Sequence, residues 1–232
     1  MMKRLVLFDI DGTLLTADGA PRRAFHRAML EVYGTAGPVA NHRFDGKTDP
    51  QIARELLTLA GLSTPVIDRG LDGLWSAYLR ELSSEFALPA HRTTVLPGIM
   101  ALLDVLEQRA KDVVLGLLTG NIERGAALKL ASAQIRTPFR VGAYGSDHEQ
   151  RDRLPPVAVG RARDLTGRTF ERRDIVIIGD TPSDVTCGHA LAVHAIGVAT
   201  GRHEPAELRA AGAGTVFADL TDTSAVLDAI LS

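Results

Sequence analysis

The chain contains one cysteine, Cys187, among 232 residues. A lone thiol excludes an intramolecular disulfide framework and a cysteine-built zinc site, and small buried thiols are ordinary core residues. An excess of one charge is also missing: 26 Lys and Arg stand against 28 Asp and Glu, for a formal net charge of -2. No global basic field of the kind nonspecific nucleic-acid binders use is present, so no nucleic-acid partner is implied. Long hydrophobic runs are absent as well. Stretches such as "VVLGLL" are too short to cross a bilayer, and "MMKRLVLFDIDG" meets acids too early for a signal-peptide core. The expected location is the cytoplasm, with no membrane partner. The seven histidines are scattered and form no ligand pair.

Hydrophobic side chains make up 45% of the chain, enough for a sizeable core in one large or two unequal domains. Short apolar runs read as buried strands at Leu5 to Phe8, Val113 to Leu118, Ile175 to Ile178 and Ala195 to Val198, with a weaker one at Phe139 to Tyr144. Amphipathic sequence separates them, including "PGIMALLDVLEQRAK", "PPVAVGRARDL", "PSDVTCGHALA" and "TSAVLDAIL". Runs apolar on both faces that alternate with helices predict an α/β fold, a Rossmann-like parallel sheet with helices on both faces. About a hundred residues separate the first two strands, more than one crossover helix needs. They hold helix patterns in "PRRAFHRAMLEVYG", "DPQIARELLTLAG" and "LDGLWSAYLRELSSEF", so a small helical domain over 17–93 is expected, with the sheet domain built from 1–16 and 94–232.

Three apolar runs each end in an oxygen-bearing residue: Asp9, Thr119 and Asp180. In open parallel sheets the ligand crevice lies beyond the carboxyl ends of the strands, so these residues are expected to converge. "TGN" at Thr119 to Asn121 runs into a helix pattern, whose first amides are expected to face an anion. "DTPSD" adds Asp184, and an accumulation of carboxylates suits magnesium better than zinc. Taken singly, Asp11-Gly12 also reads as a turn, and Thr119, Asn121, Ser183 and Asp184 also read as helix caps.

"DIDGTLL" at Asp9 to Leu15, "LLTGN" at Leu117 to Asn121 and "IIGDTPSD" at Ile177 to Asp184 resemble, in order, the first, second and fourth motifs of the haloacid dehalogenase superfamily, particularly its phosphatases. The helical insertion is similar to the mobile cap of many members. The usual motif lysine is missing from "EQRDRLPPVAV", and its role is assigned to Arg151, with Arg153 as rival. An arginine keeps the charge but presents a planar fork.

The resemblance implies a phosphomonoester hydrolase in which Asp9 attacks phosphorus and Asp11 exchanges a proton with the leaving group and with water. Magnesium would be held by Asp9, the Asp11 carbonyl, Asp180 and Asp184. Thr119, Gly120, Asn121 and Arg151 would surround the phosphoryl group. Dehalogenases of the superfamily lack the second aspartate, so Asp11 favours phosphoester chemistry. "FDGKTDPQI" is similar to a substrate-facing segment of phosphoglycolate phosphatase relatives, where Lys47 would meet an acidic leaving group; Asp49-Pro50 also reads as an N-cap followed by proline. The expected partner is a small phosphorylated metabolite. A phosphosugar mutase and a catalytically silent phosphate-binding protein are the alternatives, and oligomeric state is open.

Overall fold

The computed structural model describes residues 4–232. Strand β1, Arg4–Phe8, is buried throughout, and its side chains alternate between two apolar layers. Val6 and Phe8 enter one layer, Leu5 and Leu7 the other. The same period-two division recurs further along the chain. In β4, Val113–Thr119, Leu115 and Leu117 oppose Val114 and Leu118; in β6, Ile175–Gly179, Val176 and Ile178 oppose Ile175 and Ile177. A strand apolar on both faces needs cover on both. Helices α4, Ile99–Gln108, and α9, Thr223–Leu231, cover the first face, and α6, Leu154–Thr166, covers the second.

The sheet has six parallel strands in the order β5-β4-β1-β6-β7-β8, with β5 at Val141–Tyr144, β7 at His194–Val198 and β8 at Thr215–Phe217. β1 is central: Leu7 lies opposite Gly116 of β4 on one side and Ile177 of β6 on the other. The chain builds outward through β4 and β5, then crosses back to β6. That reversal makes the carboxyl ends of β1, β4 and β6 neighbours and opens a crevice there. Helices α5, Glu123–Ser132, α7, Pro182–Thr186, and α8, Pro205–Ala210, complete this part.

Between β1 and β4 lie α1, Ala20–Tyr33, α2, Asp49–Leu59, and α3, Thr64–Phe86. They bury a cluster of their own around Phe25, Met29, Leu56, Leu74, Tyr78 and Leu82. Phe25 and Tyr78 meet edge to face at 5.1 Å, a geometry that adds to their area burial. An antiparallel ribbon of β2, Leu15–Thr16, and β3, Thr94–Val95, joins the chain entering these helices to the chain leaving them.

Three differences from the sequence expectation have local causes. The ribbon has only two residues per strand, too few to produce a periodic signal. "GAGTVF" supplies edge strand β8, whose partner β7 aligns Gly197 with Val216. The pattern "PSDVTCGHALA" is not one helix: α7 ends at Thr186 and a single 3-10 turn follows at His189–Leu191. Gly188 is a weak helix former, and the turn closes on Ala192 in the left-handed region at φ 50°.

Candidate active site

The amide of Asp9 still donates to the Ile178 carbonyl of β6 at 3.0 Å, but the chain then leaves the sheet. The Ile10 carbonyl accepts from the amides of Thr13, Leu14 and Leu15, and Gly12 takes φ 84°. This turn frees Asp9 and Asp11 from the opposite-face rule of a strand. Both line one cleft of about 670 Å³ between the sheet end and α1–α3. Close packing enforces the local glycines: a Cβ at Gly12 or Gly201 would come within 2.3 or 1.9 Å of the Asp180 carboxylate.

Asp9, Asp180 and Asp184 each bring a carboxylate oxygen within 4.8 Å of the others, all buried. One guanidinium faces them. Arg151 Nη2 donates to Asp9 Oδ1 at 2.9 Å and also to Asp184 Oδ1, while Thr13 Oγ1 donates to Asp180 Oδ1 at 3.1 Å. The other Asp184 oxygen closes a capping box at the start of α7, accepting from the Thr181 amide at 3.0 Å and hydroxyl at 2.7 Å. Burial pushes Asp9 up to about 7 even though Arg151 pulls it back. Asp180 goes to about 9, from burial first and then the charges of Asp184 and Asp9. Three carboxyl groups thus share one guanidinium in a buried recess. An all-carboxylate donor set so enclosed fits an oxygen-seeking divalent cation.

Across the cleft, Thr119 ends β4 and is fully buried. Its Oγ1 accepts from Asn121 Nδ2 at 2.7 Å, and the same Nδ2 donates to Asp11 Oδ2 at 2.8 Å. Lys129 of α5 completes this group. Its Nζ lies 2.8 and 2.6 Å from the two Asp11 oxygens and 2.5 Å from Asn121 Oδ1.

Several expectations need correction. The amides at the start of α5 do not face an open anion site. Asn121 N donates to Thr119 Oγ1, Ile122 N to Asp49 Oδ2 at 2.8 Å, and Glu123 N to Ser146 Oγ at 3.2 Å. The anion at this helix start is the protein's own Asp49, whose amide also donates to the Gly120 carbonyl at 2.7 Å. Asp49 is therefore not the N-cap of α2. Thr48 is, accepting from Gln51 N at 3.2 Å, and its hydroxyl donates to the Glu149 carbonyl at 2.6 Å. Burial pushes Asp49 up to about 6, opposed by Lys129 and the Ile122 amide. The Asn121 side chain contacts Asp11, Thr119 and Lys129.

Gly120 and Lys47 line the cleft, but the Lys47 ammonium is paired with Glu55 beside His42. Arg151 is buried between two carboxylates, whereas Arg153 is exposed. Cys187 is a core thiol, pushed up to about 12 by burial.

Sequence reasoning missed Lys129, Asp49, Thr13 and Tyr78. Lys129 carried a signal: in "GAALKLAS" it falls three residues after buried Ala126, on the apolar stripe of α5. A lysine there demands buried acceptors. Asp49 carried none, because an acid in the first turn of a helix is ordinary.

Among known proteins, the model of haloacid dehalogenase-like hydrolases matches residues 6–189. A phosphoglycolate phosphatase of Pseudomonas putida is 27% identical over 220 residues, covering 94% of this chain and 78% of that protein. One from Pseudomonas fluorescens is 26% identical over 202 residues, covering 86% and 71%. The crystal structure of a hydrolase from Pseudomonas syringae shares the fold, with a TM-score of 0.68 at 22% identity over 99% of this chain and 100% of that one. No helix among the described residues is long and apolar enough to cross a membrane. The order of the motifs, the strand ends that carry them and the family match over most of the chain agree: this protein belongs to the haloacid dehalogenase-like hydrolases.

Proposed function

We propose that the protein is a magnesium-dependent phosphatase that hydrolyses a small phosphomonoester through an aspartyl-phosphate on Asp9. The observation that carries this reading is the pairing of two aspartates in one cleft: Asp9 inside the three-carboxylate cluster, and Asp11 outside it on a separate cation. One serves as nucleophile, the other as proton carrier.

In this reading an Asp9 oxygen attacks phosphorus while Asp11 protonates the departing alkoxide. Water then attacks the phosphorus, Asp11 takes its proton, and Asp9 is released. Magnesium held by Asp9, Asp180, Asp184 and the Asp11 carbonyl would offset the repulsion between nucleophile and phosphate dianion. Arg151, which lines the cleft and bonds Asp9, orients the nucleophile and brings positive charge beside the phosphoryl group. Thr119 and Gly120 line the same pocket.

Residues 17–93 act as the cap over a catalytic core of 1–16 and 94–232. The cap side of the cleft presents Arg22, Lys47, Phe44 and Tyr78, and Arg92 joins them. Cations around a small apolar patch fit a short leaving group bearing an acid, as in the phosphoglycolate for which the Pseudomonas relatives are named. The test is kcat/KM on a panel of phosphomonoesters with magnesium: 2-phosphoglycolate should exceed esters of neutral alcohols of similar size. A preference for neutral leaving groups would remove the substrate assignment.

A further inference from the structure

Lys129 is a buried cation to which the mechanism above gives no task. It stands well inside α5 with 3% of its surface exposed. Desolvating an ammonium is costly unless its protons find acceptors. Asp11 Oδ1, Asp11 Oδ2 and Asn121 Oδ1, all within 2.8 Å, match its three donors. No donor remains for a substrate anion. Asn121 grips the same carboxylate through Nδ2 while leaning on Thr119. The Asp11 side chain is 44% exposed, so it is held from the buried side and reachable from the cleft. The helix that carries Lys129 is tied down at its start, where the Ile122 amide meets Asp49.

We propose that Lys129 is a positioning residue for Asp11: together with Asn121 it holds the carboxyl group in the orientation from which it exchanges a proton with the leaving-group oxygen. This rests on the phosphatase reading. In the first half-reaction the bond from Asp9 to phosphorus forms and the bond from phosphorus to the leaving oxygen breaks. The electron pair of the broken bond stays on that oxygen, which receives the Asp11 proton. Lys129 and Asn121 contact both Asp11 oxygens, so the group that has given up its proton stays in the same place for the second half-reaction. In the second half-reaction it takes a proton from the attacking water, and Asp9 departs as carboxylate. Lys129 keeps its own proton throughout.

The test compares wild type, Lys129→Met, Asp11→Asn and the double variant, with magnesium, on 2-phosphoglycolate and 4-nitrophenyl phosphate. kcat/KM reports steps up to the first cleavage, and the nitrophenolate leaves without needing a proton. Lys129→Met should lower kcat/KM on the alkyl ester by about 100-fold and shift the alkyl-to-aryl ratio by about tenfold or more toward the aryl ester. In the Asp11→Asn background the same change should cost less than about threefold, because Lys129 then has nothing to position. Lys129→Gln, which keeps a donor without the charge, is measured alongside, with thermal unfolding of each variant, so that loss of fold is not read as loss of positioning. Equal losses on both esters, or full additivity with Asp11→Asn, would overturn the proposal while leaving the phosphatase reading intact. A folded, magnesium-loaded wild type that releases no phosphate from either ester would overturn that reading and the proposal with it.

Discussion

Asp9 and Asp11 stand one residue apart, yet each meets a different cation. Arg151 is held between Asp9 and Asp184, whereas Lys129 binds Asp11 alone among the acids. Asp11→Asn keeps the shape and removes the proton carrier, so kcat/KM for an alkyl ester should fall by about 10²–10⁴-fold in steady-state assays. The raised values of Asp9 and Asp180 also have a thermodynamic consequence. Both groups keep protons in the folded state at pH values where the unfolded chain, near 3.8, has lost them. The stability they contribute is complete below about pH 4 and is lost as pH rises through about 7 for Asp9 and about 9 for Asp180. With chelator present, Asp180→Asn should therefore lessen the decline of Tm between about pH 6 and 9. Added magnesium should raise Tm more at the alkaline end, where its ligands are ionised. An equal magnesium shift at both ends, by calorimetry, would contradict the ligand assignment. Asp9 and Asp180 were legible because each directly follows a core strand. The site's cation was half legible: Arg151 sits in a charged segment whose neighbour Arg153 looks equivalent until the fold buries one and exposes the other.

At the scale of elements, the junction between α2 and the loop after β4 is built from backbone and one carboxylate. Asp49 accepts from Ile122 and donates to Gly120, and Thr48 reaches the Glu149 carbonyl. Asp49→Ala would leave the Ile122 amide without its acceptor, a loss of about 1–3 kcal/mol. Its effect should appear as a KM raised by about tenfold, because the cap side of the cleft loses its anchor while the Asp9 cluster is untouched. Asp49→Asn retains a carbonyl acceptor and should lose less; equal KM values for Asp49→Ala and wild type would show that the junction does not shape the cleft. Helix interiors were readable from apolar spacing, as in α1 and α4. Their ends were less so: α3 begins at Thr64, ahead of the strongest periodic stretch, and α7 stops at Thr186 inside a pattern that reads as continuous until Gly188.

For the whole molecule, the two-sided apolar runs revealed a parallel sheet but not its order, since β1, β4 and β6 are equally apolar on both faces. What puts β1 between the other two is the crossover, and with it the meeting of Asp9, Thr119 and Asp180. Leu7 is fully buried at the centre of that arrangement. Leu7→Ala should lower unfolding free energy by about 2–5 kcal/mol in denaturant titrations, more than a typical surface change. The measurement that bears most directly on the central claim is phosphate release from 2-phosphoglycolate and 4-nitrophenyl phosphate by wild type and Asp9→Asn, each with magnesium and with chelator. Release that needs magnesium and disappears in Asp9→Asn is the predicted result. Release that persists in folded Asp9→Asn, or proceeds unchanged in chelator, would contradict an aspartyl-phosphate mechanism at this site.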